Sequence, residues 1–209
     1  MDNKTLLYKM ILLGDTGVGK TSLFRKLTTD QFESKVISTL GIDKRTLNFN
    51  INTSDGEKLT EISLYDTAGQ ERFRSISISY FREAKGLVII YDITNYESFQ
   101  NIENWISNIK DNVGNNNNNY LIILFGNKLD LVTNDKEKRE VEENEVKDFC
   151  TNRNILWGGE FSAKDFTADK LKEVFIKIIE EIYKKVGNVF KNEDNSLKNY
   201  NNKNKKGCC

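Results

Sequence analysis

Eight consecutive residues near the amino terminus have the composition of a phosphate-binding loop. The segment reads Gly-Asp-Thr-Gly-Val-Gly-Lys-Thr and matches the pattern G-x-x-x-x-G-K-[ST] at every fixed position. In such a loop, glycines let backbone N–H groups turn toward phosphate oxygens. The lysine would reach the β- and γ-phosphates, and the threonine hydroxyl would bind Mg²⁺. The predicted phosphate contacts are Gly14, Asp15, Thr16, Gly17, Val18, Gly19, Lys20 and Thr21.

The residues on either side of this loop predict a strand before it and a helix after it. Tyr8 to Leu13 is a short apolar run, as expected of a buried strand, and Ser22 to Leu27 has apolar residues at helical spacing. A helix that begins at Lys20 would direct the positive end of its dipole toward the phosphates. The alternative is a glycine-rich turn that matches by chance, but the strand–loop–helix context favours a nucleoside triphosphate site.

A second motif, Asp66-Thr67-Ala68-Gly69-Gln70, directly follows a predicted strand that ends at Tyr65. The Asp66 carboxylate could hold Mg²⁺ through its water shell. The backbone N–H of Gly69 could approach a γ-phosphate, and Gln70 could orient an attacking water. A turn with a helix cap is the alternative interpretation, which proximity to the phosphate loop disfavours.

A third motif, Asn127-Lys128-Leu129-Asp130, could distinguish guanine from adenine. A carboxylate can accept hydrogen bonds from guanine N1–H and from the exocyclic amino group, whereas adenine offers an acceptor at N1. Asp130 would therefore select guanine. Asn127 would brace the neighbouring loops, and the stem of Lys128 would cover the face of the base.

The segment Phe161-Ser162-Ala163-Lys164 ends the last predicted strand. Backbone N–H groups of Ser162, Ala163 and Lys164 could meet the guanine carbonyl there. All of these motifs follow strands, and open α/β sheets bind ligands at the carboxyl ends of their strands. We therefore expect one shared ligand, a guanine nucleotide, at one edge of the sheet.

Strand and helix signals alternate along the chain and predict an α/β fold of the phosphate-loop NTPase type. The expected sheet is six-stranded and mostly parallel, with one antiparallel edge strand from a hairpin and helices on both faces. Thr94 and Glu97 form a capping-box pattern before a helix that carries Phe99 to Ile109 at helical spacing. The further predicted strands and helices are Leu47–Ile51, Leu59–Leu64, Gly86–Ile93, Leu121–Phe125, Val141–Cys150, Ile155–Phe161 and Leu171–Ile182.

The composition is that of an ordinary globular protein with a polar tail. The chain has 209 residues, 38% hydrophobic and 30% charged, and its formal net charge is zero, which does not favour a nucleic acid partner. It contains no histidine, which excludes mechanisms that need an imidazole base. Cys150 lies on a predicted helix face and is expected to be a buried thiol. We predict a domain of residues 1–187 and a disordered tail of residues 188–209.

The order and spacing of these motifs resemble the Rab family of small GTPases, within the Ras superfamily. The resemblance covers about residues 6–186 and the last two residues. It implies that Thr39 is a further ligand of Mg²⁺ and that Phe32 stacks on the guanine. It also implies that the terminal Cys208 and Cys209 are prenylated. Segments 72–77, 80–82 and 90–94 are similar to Rab sequences as well.

This resemblance implies a molecular switch that binds GTP or GDP with Mg²⁺. Hydrolysis would use Lys20, Gly69 and Gln70, and turnover would be slow without an activating protein. The implied partners are an exchange factor, effectors, the prenylation machinery and a membrane, and the expected state is a monomer. The expected location is the cytoplasmic face of a membrane, with a cytosolic pool. The alternatives are a nucleotide-binding module without turnover and a metabolic phosphate-loop kinase.

The sequence also departs from the Rab pattern at several positions. Lys44 stands where Rabs carry an aromatic residue, and Tyr65 stands where they usually carry tryptophan. Val36 replaces an aromatic residue that is often present, and Glu83 replaces a usual glycine. These departures fall on the surface where Rabs meet their partners, and they leave the predicted nucleotide contacts unchanged.

Overall fold

The computed structural model describes residues 5–31, 42–67, 81–113, 119–135 and 138–204. These segments form six strands and six helices, which alternate along most of the chain. The strands are β1 (Leu6–Leu13), β2 (Ile42–Thr53), β3 (Gly56–Thr67), β4 (Ala84–Asp92), β5 (Leu121–Asn127) and β6 (Leu156–Glu160). The helices are α1 (Lys20–Thr29), α2 (Tyr96–Gln100), α3 (Ile102–Val113), α4 (Leu129–Asn134), α5 (Glu143–Arg153) and α6 (Ala168–Asn204).

The strands form one sheet in the order β2-β3-β1-β4-β5-β6. Only β2 is antiparallel to its neighbour, and it pairs with β3 across the whole hairpin from Ile42↔Thr67 to Thr53↔Gly56. The other neighbours are parallel, so their carboxyl ends lie at the same edge of the sheet. The predicted fold class is confirmed.

The sheet is covered on both faces because β1, β4 and β5 carry apolar residues on both sides. Met10 and Leu12 of β1 belong to a core that includes α1 and α6. Ile11 and Leu13 belong to a second core that includes α2, α3 and α5. Strands buried on two faces read as continuous apolar runs, which is how they were recognisable in the sequence.

The helical segment after β4 differs from the prediction. The cap is Asn95, whose side chain accepts a hydrogen bond from the Ser98 N–H, and not Thr94. Asp92 Oδ1 accepts hydrogen bonds from both the Thr94 N–H and the Thr94 hydroxyl, which removes that hydroxyl from a capping role. The single predicted helix is also divided at Asn101, although the backbone there stays close to helical.

Cys150 is a buried free thiol, as predicted, and burial raises its pKa to about 11.

Glu83, which stands where the Rab pattern has glycine, has a φ of 65°, a left-handed conformation that favours glycine. That geometry agrees with the glycine that the Rab pattern places at this position.

The last helix continues beyond the predicted end of the domain. The composition predicts disorder from residue 188, whereas the backbone of α6 is helical to Asn204. Apolar residues are few in this segment, so little packing stabilises the helix there, but its backbone hydrogen bonds can still form. The division of the chain after residue 187 stays a prediction. In the part of the chain that the structure describes, no helix is long and apolar enough to cross a membrane.

Candidate nucleotide-binding site

The predicted phosphate loop connects the carboxyl end of β1 to the first residue of α1. Gly14 and Gly19 have φ values of 131° and 98°. A Cβ at Gly14 would lie 2.2 Å from the Ile90 carbonyl oxygen, and one at Gly19 would lie 2.1 Å from Asn127 Nδ2. Both positions therefore require glycine for conformation and for space, and the loop is held close to β4 and β5.

Lys20 is buried inside the loop, with 5% of its surface exposed. Its Nζ donates hydrogen bonds to the carbonyl oxygens of Gly14, at 2.8 Å, and Asp15, at 2.7 Å. Burial lowers its pKa to about 8, against the opposing effect of the Asp66 and Asp15 carboxylates. The ammonium group is thus held where the surrounding loop could present it to a phosphate.

Asp66 meets Thr21 beside the loop, near the end of β3. The Thr21 hydroxyl donates a 2.6 Å hydrogen bond to Asp66 Oδ2. Asp66 is buried, and its Oδ1 accepts no hydrogen bond from the described residues. Burial raises the pKa of Asp66, which the Thr21 hydrogen bond and the Lys20 charge oppose. A hydroxyl and a carboxylate are oxygen ligands of the kind that Mg²⁺ prefers, and an unpaired buried oxygen fits a bound cation.

Asn127, the last residue of β5, joins two of the predicted motifs. Its Nδ2 donates a 2.8 Å hydrogen bond to the carbonyl oxygen of Val18 in the phosphate loop. Its Oδ1 accepts a 3.1 Å hydrogen bond from the backbone N–H of Ala163. The side chain is buried, so each of these bonds is protected from water.

The two other polar residues of the third motif are also held by neighbouring segments. Lys128 Nζ lies 2.5 Å from Asp92 Oδ2 at the end of β4. Asp130 Oδ1 accepts a 2.8 Å hydrogen bond from the Ser162 hydroxyl, and Lys164 Nζ lies 3.9 Å from Asp130 Oδ2. The side chain of Asp130 is 9% exposed. Its position is therefore fixed by the segment that follows β6.

Three side chains that contact predicted site residues were not identified from the sequence. Asn101 Nδ2 and Trp105 Nε1 donate hydrogen bonds to the two oxygens of Asp15. Asp92, the partner of Lys128, is the third. Trp105 fits the apolar spacing of its helix, which conceals its polar contact. The sequence feature that could have identified Asp92 is its position at the end of a buried strand, which it shares with Asp66.

The structure thus brings together residues from four of the predicted segments at the carboxyl ends of β1, β3, β5 and β6. The remaining predicted contacts lie outside the described residues. They are Phe32, Thr39, Gly69 and Gln70, together with the terminal Cys208 and Cys209.

The family is shown by sequence comparison. A model of the Ras family matches residues 9–184. This match covers most of the chain and includes every described motif of the site. The chain therefore belongs to the Ras family.

Individual relatives indicate the group within that family. The chain is 38% identical to GTP-binding protein ypt1 of Schizosaccharomyces pombe, over 87% of this chain and 83% of that protein. It is also 38% identical to Ras-related protein Rab-13 of Canis lupus familiaris, over 87% and 82% of the two chains. Ras-related protein RABA1e of Arabidopsis thaliana is 34% identical over 88% and 78%. The chain is of the Rab type.

Proposed function

We propose that this protein is a GTP-binding and GTP-hydrolysing molecular switch that regulates vesicle traffic. The observation that carries the proposal is the buried side chain of Asn127. It ties the phosphate loop, through Val18, to the segment of Ala163, whose neighbour Ser162 holds Asp130. The group that binds phosphate and the group that recognises guanine are thereby held in a fixed position relative to each other. This is needed because both must contact the same nucleotide, one at each end.

The phosphate end of the nucleotide lies in the loop between β1 and α1. Backbone N–H groups of the loop and the amino end of α1 bind phosphate oxygens, and Lys20 adds a positive charge. Thr21, Asp66 and Thr39 are the proposed ligands of Mg²⁺, which neutralises charge on the phosphates when it is bound. The geometry of Thr21 and Asp66 supports this assignment, and Thr39 is assigned from the sequence alone.

The base end lies between the segments that follow β5 and β6. Asp130 accepts hydrogen bonds from guanine, and the aliphatic stem of Lys128 covers one face of the base while its ammonium group pairs with Asp92. Phe32 is the proposed aromatic contact. Backbone N–H groups of Ser162 to Lys164 bind the guanine carbonyl.

Hydrolysis is proposed to proceed by in-line attack of a water that Gln70 orients. Gly69 and Thr39 contact the γ-phosphate side, and loss of those contacts after hydrolysis releases the switch segments. None of the sequence motifs supplies an arginine to the γ-phosphate. We therefore expect slow intrinsic turnover and faster turnover with an activating protein that contributes an arginine.

The switch acts as a monomer on the cytoplasmic face of a membrane, with a cytosolic pool. The proposed anchor consists of prenyl groups on Cys208 and Cys209, added by prenylation enzymes, and the segment 188–209 separates the anchor from the domain. Exchange factors, activating proteins and effectors bind the switch segments.

Nucleotide analysis and single-turnover hydrolysis test this proposal. We expect purified full-length protein to contain guanine nucleotide and to hydrolyse bound GTP slowly. Gln70→Leu should bind GTP as the parent does but hydrolyse it more slowly, since the substitution removes the group that orients water and no phosphate contact.

Three results would contradict the proposal or replace it with an alternative. Selective binding of ATP would exclude the guanine assignment. GTP binding without turnover in the parent, even with an activating protein, would favour a binding module. Transfer of phosphate to an added acceptor would favour a kinase.

A further inference from the structure

Both carboxylate oxygens of Asp15 are held by side chains from the neighbouring helical segment. Asn101 Nδ2 donates to Oδ2 at 2.8 Å, and Trp105 Nε1 donates to Oδ1 at 2.9 Å. The two donors are four residues apart, a spacing that places them on the same side of a helix. Trp105 is 5% exposed and belongs to the second core, which includes α2, α3 and α5. Its N–H therefore has a fixed position, and so does the carboxylate that it binds.

The main chain of Asp15 faces a different group. Its carbonyl oxygen accepts a 2.7 Å hydrogen bond from Lys20 Nζ. Asp15 thus contacts the lysine of the phosphate loop through its backbone, and residues 101 and 105 through its side chain. This arrangement turns the negative side chain toward two neutral donors, within a loop whose predicted ligand is itself strongly negative.

A carboxylate without these donors would be able to turn toward the phosphates or toward Lys20. In the first case it would repel a nucleotide, and in the second it would compete with the nucleotide for the lysine. Hydrogen bonds that involve a charged group are stronger than neutral ones. The two donors therefore favour the orientation in which the Asp15 carboxylate faces them.

We propose that Asn101 and Trp105 are positioning residues, which keep the Asp15 carboxylate turned away from bound phosphates and thereby slow nucleotide release. The inference rests on the proposed function, because it concerns the same phosphate site. It adds two residues from outside the nucleotide-binding motifs, and it gives the end of α2 and the first turn of α3 a role in retaining the nucleotide.

The first test compares two tryptophan-to-phenylalanine variants of the full-length protein. Trp105→Phe removes the N–H donor and keeps an aromatic ring. Trp157→Phe is the matched control, because Trp157 Nε1 donates instead to Glu143, at 3.4 Å. The measurement is the dissociation rate of a fluorescent GDP analogue in the presence of excess unlabelled GDP.

We expect Trp105→Phe to release GDP about tenfold faster than the parent, which corresponds to about 1.4 kcal/mol. Asn101→Ala should also release GDP faster than the parent, and the double variant should release it faster than either single variant. Trp157→Phe should release GDP at the parent rate. Parent rates in both Trp105→Phe and Asn101→Ala would overturn the proposal.

The second test distinguishes positioning from a general loss of packing. If the freed carboxylate causes the faster release, Trp105→Phe should have little effect when Asp15→Ala has already removed that carboxylate. An equal acceleration by Trp105→Phe with and without Asp15 would show that packing is responsible, and would overturn the proposal. A parent protein that binds no guanine nucleotide would overturn the proposed function and this inference together. A parent that binds, with unaffected variants, would overturn only the inference.

Discussion

Ser162 donates a 2.8 Å hydrogen bond from its hydroxyl to Oδ1 of Asp130, a residue 32 positions earlier in the chain. The two residues lie in different segments, after β6 and at the start of α4. Ser162 is buried, with 1% of its surface exposed, so its hydroxyl has a fixed orientation. The carboxylate that is proposed to recognise guanine is thereby held in place before any base arrives.

Asp130→Asn should weaken GTP binding and favour xanthine. The amide offers a donor where guanine presents N1–H and an amino group, whereas xanthine presents a carbonyl in place of that amino group. Each charge-assisted hydrogen bond contributes ~1.5–3 kcal/mol, so we expect a loss of at least about tenfold in GTP affinity. Calorimetric titration of parent and variant with GTP and xanthosine triphosphate measures the change. Unchanged GTP affinity in the variant would exclude the role of Asp130. Ser162→Ala serves as the comparison, and it should lose less GTP affinity and should not come to favour xanthine.

Gly19→Ala should destabilise the protein more than Gly17→Ala. Both glycines have left-handed φ angles, 98° and 82°, so alanine is strained at either position. A Cβ at Gly19 would lie 2.1 Å from Asn127 Nδ2, whereas one at Gly17 meets nothing within 4 Å. We expect about 1–2 kcal/mol of destabilisation from conformational strain in each variant, plus the cost of displacing Asn127 in Gly19→Ala alone. Denaturant unfolding measures both, and equal destabilisation would show that Asn127 is not confined by Gly19.

Nucleotide binding at alkaline pH should be accompanied by proton uptake at Lys20. Burial lowers the pKa of this lysine to about 8, so above that pH the ammonium group is increasingly neutral before binding. Phosphate oxygens stabilise the ammonium form and raise its pKa, so the group takes up a proton when the nucleotide binds. We expect uptake at pH 9 and little at pH 7. Calorimetry in two buffers with different ionisation enthalpies measures it.

Lys20→Arg provides the control for this prediction, because a guanidinium group stays protonated at both pH values. Proton uptake at pH 9 that persists in Lys20→Arg would show that another group takes up the proton.

The lowered pKa of Lys20 also predicts how the stability of the folded protein depends on pH. The destabilisation from burying the charged lysine is fully present below pH 8. This destabilisation should diminish as pH rises from about 8 toward the ordinary value of 10.5.

Replacement of both Cys208 and Cys209 by serine should release the protein from membranes and leave GTP binding intact. One lipid chain binds a membrane weakly and reversibly, and a second makes the attachment stable, at ~0.8 kcal/mol per buried CH₂. Lysines near the carboxyl terminus would add only about 1 kcal/mol each at an anionic surface, so their replacement by glutamine should weaken attachment less. The lysines are Lys198, Lys203, Lys205 and Lys206.

Cell fractionation measures this release, and mass spectrometry of the terminal peptide identifies any lipid on the two thiols. Two free thiols on membrane-bound protein would exclude the proposed anchor.

The class of fold and most of the strands could be predicted from the sequence because the signals are local. The phosphate loop is a contiguous pattern, and the apolar runs of β1, β4 and β5 follow from burial on two faces. The hairpin of β2 and β3 was apparent from alternation on either side of the turn at Ser54–Asp55. The cap after β4 was predicted wrongly, because Thr94 and Asn95 are both suitable capping residues. The choice between them depends on Asp92, which binds the Thr94 hydroxyl.

The amino-acid sequence by itself determined which chemical groups are available and the order in which they follow the strands. Only the tertiary structure decided which of these groups hold one another. Asn127 reaches Val18 across 109 residues, and Trp105 reaches Asp15 across 90. Such pairs depend on the order of strands in the sheet. In that order β1 lies next to β4, and β4 next to β5, although β2 and β3 separate β1 from β4 in the chain. Side-chain spacing along a segment carries no information about that order, because strand neighbours are set by how the two cores pack.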